Sequence, residues 1–549
     1  MPPRNEANLS SLPAPAATQS VAGLFRRSET LETAVTLGAL LIAWELLART
    51  VLASSFVLAA PSQIVAQLAD QWPLYVTNLR VTLWTAIQGF FWGNLIALAA
   101  AVLIVQWPPL ERPVFSAALA IYSLPIIALA PILLVLLDRA NAMVALSALA
   151  VIFTTLVATT LGLRSADPSA INVIHVLGGN GWDKLRRVRF HAALPNAFAG
   201  LRVAAPAAVL GAAVGEFMGA ERGLGVLIVD ALSGLDPVRV WTIAALATAL
   251  SSGGYVLIGW LGRQLTPWVH GMPVTQTSHR SSGSKDDSRA RRILRLAGII
   301  ALNLAVVFGG WALFIHLANL NVFFAKGPVD VWNFLFTASN APANRELVFG
   351  GLLTTLGNAS LGFVAGMLGG TLAAIAFVLR PSIERAVMPI AITLRSIPIL
   401  ATTPLVIMIF GRTLLATTII VGILSFFPTM INMMVGMRLT RRSIVEVFKV
   451  MNASRWTILW RAELPSALPA LLASARIAIP SSILGAVIIE WLVTGVGMGN
   501  AILAGVYNAN YNVLWAVAAV LTLVSMAAYG LVAVIERVVL SYYAPEHLG

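Results

Sequence analysis

The sequence predicts an all-α polytopic membrane protein: two tandem six-helix bundles, about 12 transmembrane helices, related as a parallel pseudo-twofold repeat. Three observations carry this. Of 549 residues, 58% are hydrophobic and 11% charged, with a mean hydropathy of +0.85, against roughly 45–50% apolar and about 25% charged in soluble domains. The stretch Thr440–Asn500 repeats Leu163–Ile228 at a constant offset of 274, pairing Trp182 with Trp456, Arg187 with Arg461, Leu194-Pro195 with Leu468-Pro469, Arg202 with Arg476, Pro206 with Pro480, Glu216 with Glu490, and Gly223 and Gly225 with Gly497 and Gly499. The excess of positive charge, +13, sits in short blocks between apolar runs, as the positive-inside rule requires. A nucleic-acid reader instead gathers such charge on one solvated face.

In chain order, 1–28 is a Ser-, Pro- and Ala-rich tail. Its Arg26-Arg27 also fits an export signal, but Arg291-Arg292 opens the second half in mid-chain, where no signal acts. The first half, 29–263, has expected spans at Leu31–Leu52, Thr82–Val105, Val114–Leu137, Ala142–Leu163, Val203–Met218 and Val240–Leu261, with an extracytoplasmic loop at Ser54–Asn78. Arg164–Arg202 is too polar to span and too basic to face outward. A charged linker, 264–292, leads to the second half, 293–549. Its spans fall near Leu296–Leu317, Leu352–Val378, Ala386–Phe410, Leu414–Met437, Ile477–Val493 and Val513–Ile535. Here the offset drifts only in loops: Thr82 pairs with Thr355, Pro125 with Pro398 and Pro131 with Pro404. An even number of spans per half puts both termini, the linker and both basic segments on one side, the cytoplasm.

Catalysis finds no support. None of the four lysines, Lys184, Lys285, Lys326 and Lys449, sits in a phosphate-cradling loop. There is no cysteine, and the six histidines form no metal-binding pair. If this chain does work, another chain supplies the energy. Between Ser443 and Ser454 the apolar residues Ile444, Val447, Phe448 and Met451 form one helical stripe. Such a helix lies on lipid headgroups or docks in a partner's groove.

Inside the spans, an ionisable residue is a functional candidate. Arg395 lies within the third span of the second half, at the place of Tyr122 in the first; it either lines a path for an anionic or polar solute or pairs with Glu490 or backbone carbonyls. Glu216 and Glu490, near the outer ends of their spans where snorkelling is cheap, shape a gate or hold helices. Pro125, Pro131, Pro398 and Pro404 remove backbone donors, which is tolerated beside protein or a water-filled path. The pairs Gly89/Gly93 and Gly362/Gly366 suit close helix packing.

Glu446-Val-Phe-Lys-Val-Met-Asn452-Ala453-Ser454, followed by Leu464-Pro465, resembles the E-A-A-x-x-x-G-A-S loop of permease subunits of bacterial binding-protein-dependent ABC importers. Leu394-Arg395-Ser-Ile-Pro398 through Pro404-Leu405, Arg476-Ile-Ala, and Glu490-Trp491 before Gly497-Met-Gly499 are similar to the nitrate/sulfonate/taurine branch. The resemblance covers both halves. It implies a fused double permease in the bacterial inner membrane, two partner ATPase subunits that carry MgATP, no cofactor on this chain, and a periplasmic or lipid-anchored solute-binding protein. It also implies ATPase coupling through Asn172, His175, Gly178, Gly179 and Asn180 in one copy and Glu446, Lys449, Asn452, Ala453 and Ser454 in the other. Each copy departs from the pattern: Asn172 replaces the glutamate in the first, and Asn452 replaces the glycine in the second. A fused iron(III)-type importer permease is the alternative within this class. An ion-coupled secondary transporter, which would need an embedded proton or sodium site, is the alternative outside it.

Overall fold

The computed structural model describes residues 38–39, 41–50, 58–234, 236–269, 298, 304–305, 307–317, 319–395 and 399–543. The expected tail, most of the expected linker, and Pro398 lie outside the described residues. The expected first spans of the two halves are described only as helical stretches at 41–49 and Val307–Leu317.

In the first half α1 (Pro61–Asp70) and α2 (Trp72–Gln106) are followed by α3 (Glu111–Ser123), α4 (Ile126–Leu136), α5 (Arg139–Arg164), α6 (Pro168–Val176), α7 (Gly181–Gly219), α8 (Leu224–Ser233) and α9 (Pro237–Leu265). The second half repeats the order with α10 (Pro328–Trp332), α11 (Ala341–Leu379), α12 (Pro381–Arg395), α13 (Ile399–Phe410), α14 (Leu414–Arg438), α15 (Arg442–Val450), α16 (Leu468–Leu492), α17 (Gly497–Tyr507) and α18 (Tyr511–Tyr543). Among the described residues eight helices are long and apolar enough to cross a membrane. They are α2, α5, α7, α9, α11, α14 and α16, with Tyr511–Ser541 of α18.

Four expectations need correction. The expected loop Ser54–Asn78 is helical from Pro61 onward: Pro61 and Pro73 sit in the first turns of α1 and α2, where a missing N–H costs nothing. Val114–Leu137 is not one span but two helices meeting at 98°. Leu124 and Pro125 are extended there, because a proline restricts the residue before it. Pro131 and Pro404, by contrast, lie inside uninterrupted α4 and α13 and break nothing. The short span Val203–Met218 is the far half of α7, which begins at Gly181 within the basic segment. Both copies widen to a π-helical turn at equivalent places, Leu185–Arg189 and Leu459–Glu463.

Small residues set the packing. On α2, Thr82, Ala86, Gly89, Gly93, Ala97 and Ala101 form one buried stripe; on α11, Thr355, Ala359, Gly362, Gly366, Gly370 and Ala374 form its copy. A spacing of three or four residues keeps such positions on one helix face, and without Cβ atoms the backbones meet closely. A Cβ on Gly93 would lie 2.5 Å from the Ala148 carbonyl oxygen, and one on Gly366 2.3 Å from that of Gly422. In each half the central helix, α5 or α14, packs between this stripe and the following long helix, α7 or α16. Across the halves, α9 packs on α13 of the second half, while α18 packs on α3 and α4 of the first. This reciprocal exchange is what a pseudo-twofold repeat produces.

Gly366→Leu should therefore cost about 1–3 kcal/mol or more through overpacking, seen as a lower melting midpoint of the purified protein in detergent. Gly357→Leu, on the same helix with open space around the added Cβ, should leave the midpoint unchanged. Equal effects of the two would contradict this packing.

Candidate functional site

Two surface helices stand at one end of the bundle. Asp167 caps α6 by accepting from the Ser169 N–H at 2.9 Å. The helix ends in a left-handed turn at Gly178, φ +81°, where the Gly179 N–H donates to Ile174 O at 2.8 Å. Asn180 then caps α7, accepting from the Asp183 N–H at 3.0 Å. The second copy builds the same unit. Asn452 takes the left-handed turn at φ +53°, the Ala453 N–H donates to Phe448 O at 2.9 Å, and Ser454 caps the next helix through the Thr457 N–H. Asparagine serves in glycine's place because its short polar side chain tolerates this backbone region.

The outward face of both units is apolar. Val173, Val176 and Leu177 match Val447, Val450 and Met451 position for position, and all six are exposed, Val176 and Val450 at 85% and 88%. Between them the polar residues differ: Asn172 and His175 stand where Glu446 and Lys449 stand in the second copy. Glu446 is ion-paired with Arg442 at 3.2 Å on the open surface.

At the other end, some 35 residues or about 50 Å further along α7, the halves meet. Phe217 and Trp491 occupy equivalent positions, and their rings touch across the seam with centroids 4.7 Å apart. Two equivalent residues in contact mark the pseudo-twofold axis itself. Lower on the seam, Tyr122 reaches across to the second half, donating to Ile477 O at 3.4 Å and lying 3.2 Å from Ser481 Oγ. Phe153 stacks on its ring at 4.6 Å.

The residues preceding the aromatic pair, Glu216 and Glu490, do not snorkel to the interface: they are 1% and 0% exposed. Each carboxylate turns into its own half and is held there. Glu216 Oε2 accepts from Thr82 Oγ1 at 2.8 Å and from the Gly225 N–H at 3.0 Å. The Thr82 hydroxyl accepts in turn from the Leu224 N–H at 2.9 Å, and Asn78 Oδ1 from the Gly223 N–H at 2.7 Å. In the second half Glu490 accepts from Thr355 Oγ1 at 2.6 Å, Asn358 Nδ2 at 3.0 Å and the Gly499 N–H at 3.2 Å, while the Thr355 hydroxyl accepts from the Met498 N–H at 2.9 Å. The glycines are steric necessities. Gly497 has φ +74°, and a Cβ on it would fall 2.3 Å from Glu490 Oε2; Gly223 has φ +138° and the same conflict with Glu216. Each clamp ties three elements together: the long helix bearing the glutamate, the small-residue helix beside it, and the N-terminus of α8 or α17.

Thus the structure places Glu216 and Glu490 beneath a seam closure rather than in it, and Tyr122 on the seam. Pro125 lies at the bend between α3 and α4. Arg395 ends α12, and its side chain is outside the described residues, so pairing with Glu490 is not addressed; Glu490 already has three donors. Among the described residues no group of three His, Asp or Glu could hold a metal. Phe217, Trp491 and the two threonines are additions to the sequence reading. The aromatic match at offset 274 and the threonine match were both visible there, but nothing in the sequence said that they point to the seam and to the glutamates.

Thr355→Val should remove one of the three donors to the Glu490 carboxylate and leave the Met498 N–H without its acceptor, destabilising by about 1–3 kcal/mol. Thr355→Ser should be near neutral, with melting midpoints in detergent as the measure. A Val variant as stable as wild type would contradict the clamp.

Residues 93–271 and 366–540 each match the family of the binding-protein-dependent transport system inner membrane component. A formylaminopyrimidine transport permease of Halalkalibacterium halodurans is 31% identical over 156 residues, 28% of this chain and 62% of that protein. A riboflavin transport permease of Chloroflexus aurantiacus is 29% identical over 162 residues, covering 30% and 60%. The match thus spans less than two thirds of either relative. A putative aliphatic sulfonates transport permease of Bacillus subtilis is 26% identical over 238 residues, 43% of this chain and 85% of the relative. With both halves matched over well more than half of its length, the chain belongs to the binding-protein-dependent transport system inner membrane component family, carried here as a tandem duplicate.

Proposed function

We propose that this chain is the complete transmembrane pore of an ATP-driven importer, a fused pair of permeases that passes a small polar or anionic solute along the seam between its halves. The observation that carries the reading is the pair of surface helices, α6 and α15. Both keep an exposed apolar stripe at equivalent positions on the same end of the bundle; α6 leads through a capped turn directly into α7, and α15 through a capped turn and a short helical stretch at 455–466 into α16. On this reading the stripes seat in clefts of two ATPase subunits, which hold the MgATP; this chain performs no covalent chemistry.

Drawing α6 and α15 together would rotate α7 and α16 as stiff levers. The clamps at Glu216 and Glu490 would carry that motion into Phe217 and Trp491, and the seam would part. A solute-binding protein would deliver its cargo at that end. On this reading α6, α15 and both termini lie in the cytoplasm of a bacterium and the chain in its inner membrane, which the basic segments support through the positive-inside rule. The motif around Arg395 to Pro404 and the sulfonate permease among the relatives favour the nitrate/sulfonate/taurine branch.

Val447→Asp puts a charge on the exposed stripe without touching the core. It is expected to lower co-purification of the ATPase subunits at least tenfold, a loss of about 1.4 kcal/mol, with the melting midpoint of the permease unchanged. Val173→Asp should act likewise at the other seat, and Glu446→Lys should also release the ATPase. Undiminished co-purification in all three variants would remove the docking assignment.

A further inference from the structure

The two halves enter the membrane through equivalent helical turns that carry different charge. Residues 181–190, the start of α7, hold Lys184, Arg186, Arg187 and Arg189 against Asp183, whereas 455–464 hold Arg455 and Arg461 against Glu463, a net of +3 against +1. In the second copy Arg455 is paired with the buried Glu463 at 2.6 Å. The first copy lacks that pair, with glycine at 181 and the opposite charge at 189. Gln106 stands where the arginine stem would run, its Oε1 3.0 Å from a Cβ built on Gly181. Asp183 is engaged in capping, accepting from the Asn180 N–H at 3.0 Å, and Glu111 nearby is held by Arg164 at 2.6 Å. Among the described residues no carboxylate pairs with Arg186, Arg187 or Arg189, and the Arg189 Nε is buried without a partner.

Packing fixes the level at which this charge stands. From Val81 to Gln106 α2 carries no charged residue, about 39 Å of helix, enough to cross roughly 30 Å of hydrocarbon. Gln106 is the residue that Gly181 meets, and Leu185 and Ala193 share one packed cluster with Ile104 of α2 and Leu163 of α5. The first turns of α7 therefore lie level with the last turns of two membrane-crossing helices, where hydrocarbon gives way to headgroups. Exposed tryptophans mark the same level, Trp107 after α2 and Trp182 on α7, as such rings do at membrane interfaces. Arg186, Arg187 and Phe190 are exposed beside Trp182. We infer that residues 182–190 form a binding site for anionic phospholipid, the arginines taking the headgroup phosphate and Trp182 and Phe190 meeting the glycerol and acyl chains. Basic clusters directly beside a membrane-crossing helix attract anionic lipid, and arginine meets phosphate with paired N–H donors. The equivalent turn of the second half, with Trp460 in place of Arg186 and Glu463 in place of Arg189, lacks the charge to do so. The site directly follows the Asn180 cap at the end of the α6 unit, so a bound headgroup steadies α6 against the bilayer.

The test is native mass spectrometry of the purified full-length chain in neutral detergent, titrated with phosphatidylglycerol or with phosphatidylcholine. Wild type should retain phosphatidylglycerol at about tenfold lower concentration than phosphatidylcholine. Arg186→Trp/Arg189→Gln should remove that preference, with an unchanged melting midpoint. Trp460→Arg, at the exposed equivalent position, should add a second retained phosphatidylglycerol, a gain that no folding defect could imitate. Wild type that retains both lipids equally would overturn the proposal, as would a double variant that retains phosphatidylglycerol like wild type. Inorganic phosphate that displaces the lipid at equal concentration would assign the cluster to a free anion and overturn the lipid site. A double variant that keeps its phosphatidylglycerol but loses co-purifying ATPase would assign these arginines to the partner and overturn it too. The site requires only that the chain crosses a membrane, so its failure and that of ATPase docking are separate results.

Discussion

A carboxylate enclosed by protein inside a membrane is the constraint on which the rest of this structure depends. Leaving such a group without donors would cost several kcal/mol, so Glu216 and Glu490 dictate what surrounds them. Each needs a hydroxyl from the neighbouring helix and a backbone N–H from the start of the next short helix. Each also needs a residue without a Cβ at the point of closest approach, which Gly223 and Gly497 supply. The result is a rigid joint at the tip of each long helix, and the next residue, Phe217 or Trp491, is delivered to the seam in a fixed attitude. Two such joints facing each other make a closure whose position is set by hydrogen bonds rather than by lipid.

Duplication separates what the fold needs from what the two halves do differently. The threonine, glutamate and glycines of the clamp recur, as do the small-residue stripes of α2 and α11. So do the left-handed turns, even where Asn452 replaces glycine. What has drifted lies on the exposed surface, in the polar residues of α6 against those of α15, and at single positions within the bundle, Tyr122 against Arg395 and Gly262 against Glu536. The clamps themselves have diverged in detail. Asn358 supports the second glutamate from within α11, whereas Asn78 supports the glycine of the first from α2.

Much of this was legible in the residues. Hydropathy gave the helices of α5, α9 and α14 to within a few positions, because each is bounded by polar or proline-containing turns, and gave the start of α18 but stopped eight residues short of its end. The amphipathic stripe of α15 stood out because charged residues flank it. Periodicity failed where a helix changes surroundings partway along. The near half of α7 is basic and amphipathic and its far half apolar, so one helix read as a loop and a short span. Proline was ambiguous as well: Pro125 follows an extended Leu124 where one helix ends and the next begins, whereas Pro131 lies inside α4. The clamp was half legible. Glu216 and Glu490 stood out as ionisable residues in apolar runs, but their burial depends on partners 134 and 135 residues away, a distance over which no local pattern speaks.

On the proposed function the molecule is two levers joined at their tips, with nucleotide-driven partners at one end and the Phe217–Trp491 contact at the other. The most direct measurement uses the absence of cysteine from the natural chain. Nitroxide labels are placed on Phe217→Cys and Trp491→Cys in the complex with its ATPase subunits, and the distance between them is read by pulsed electron paramagnetic resonance. The account predicts a short, narrow distribution without nucleotide that lengthens when MgATP is trapped by vanadate. A distance that stays the same in both states would contradict it.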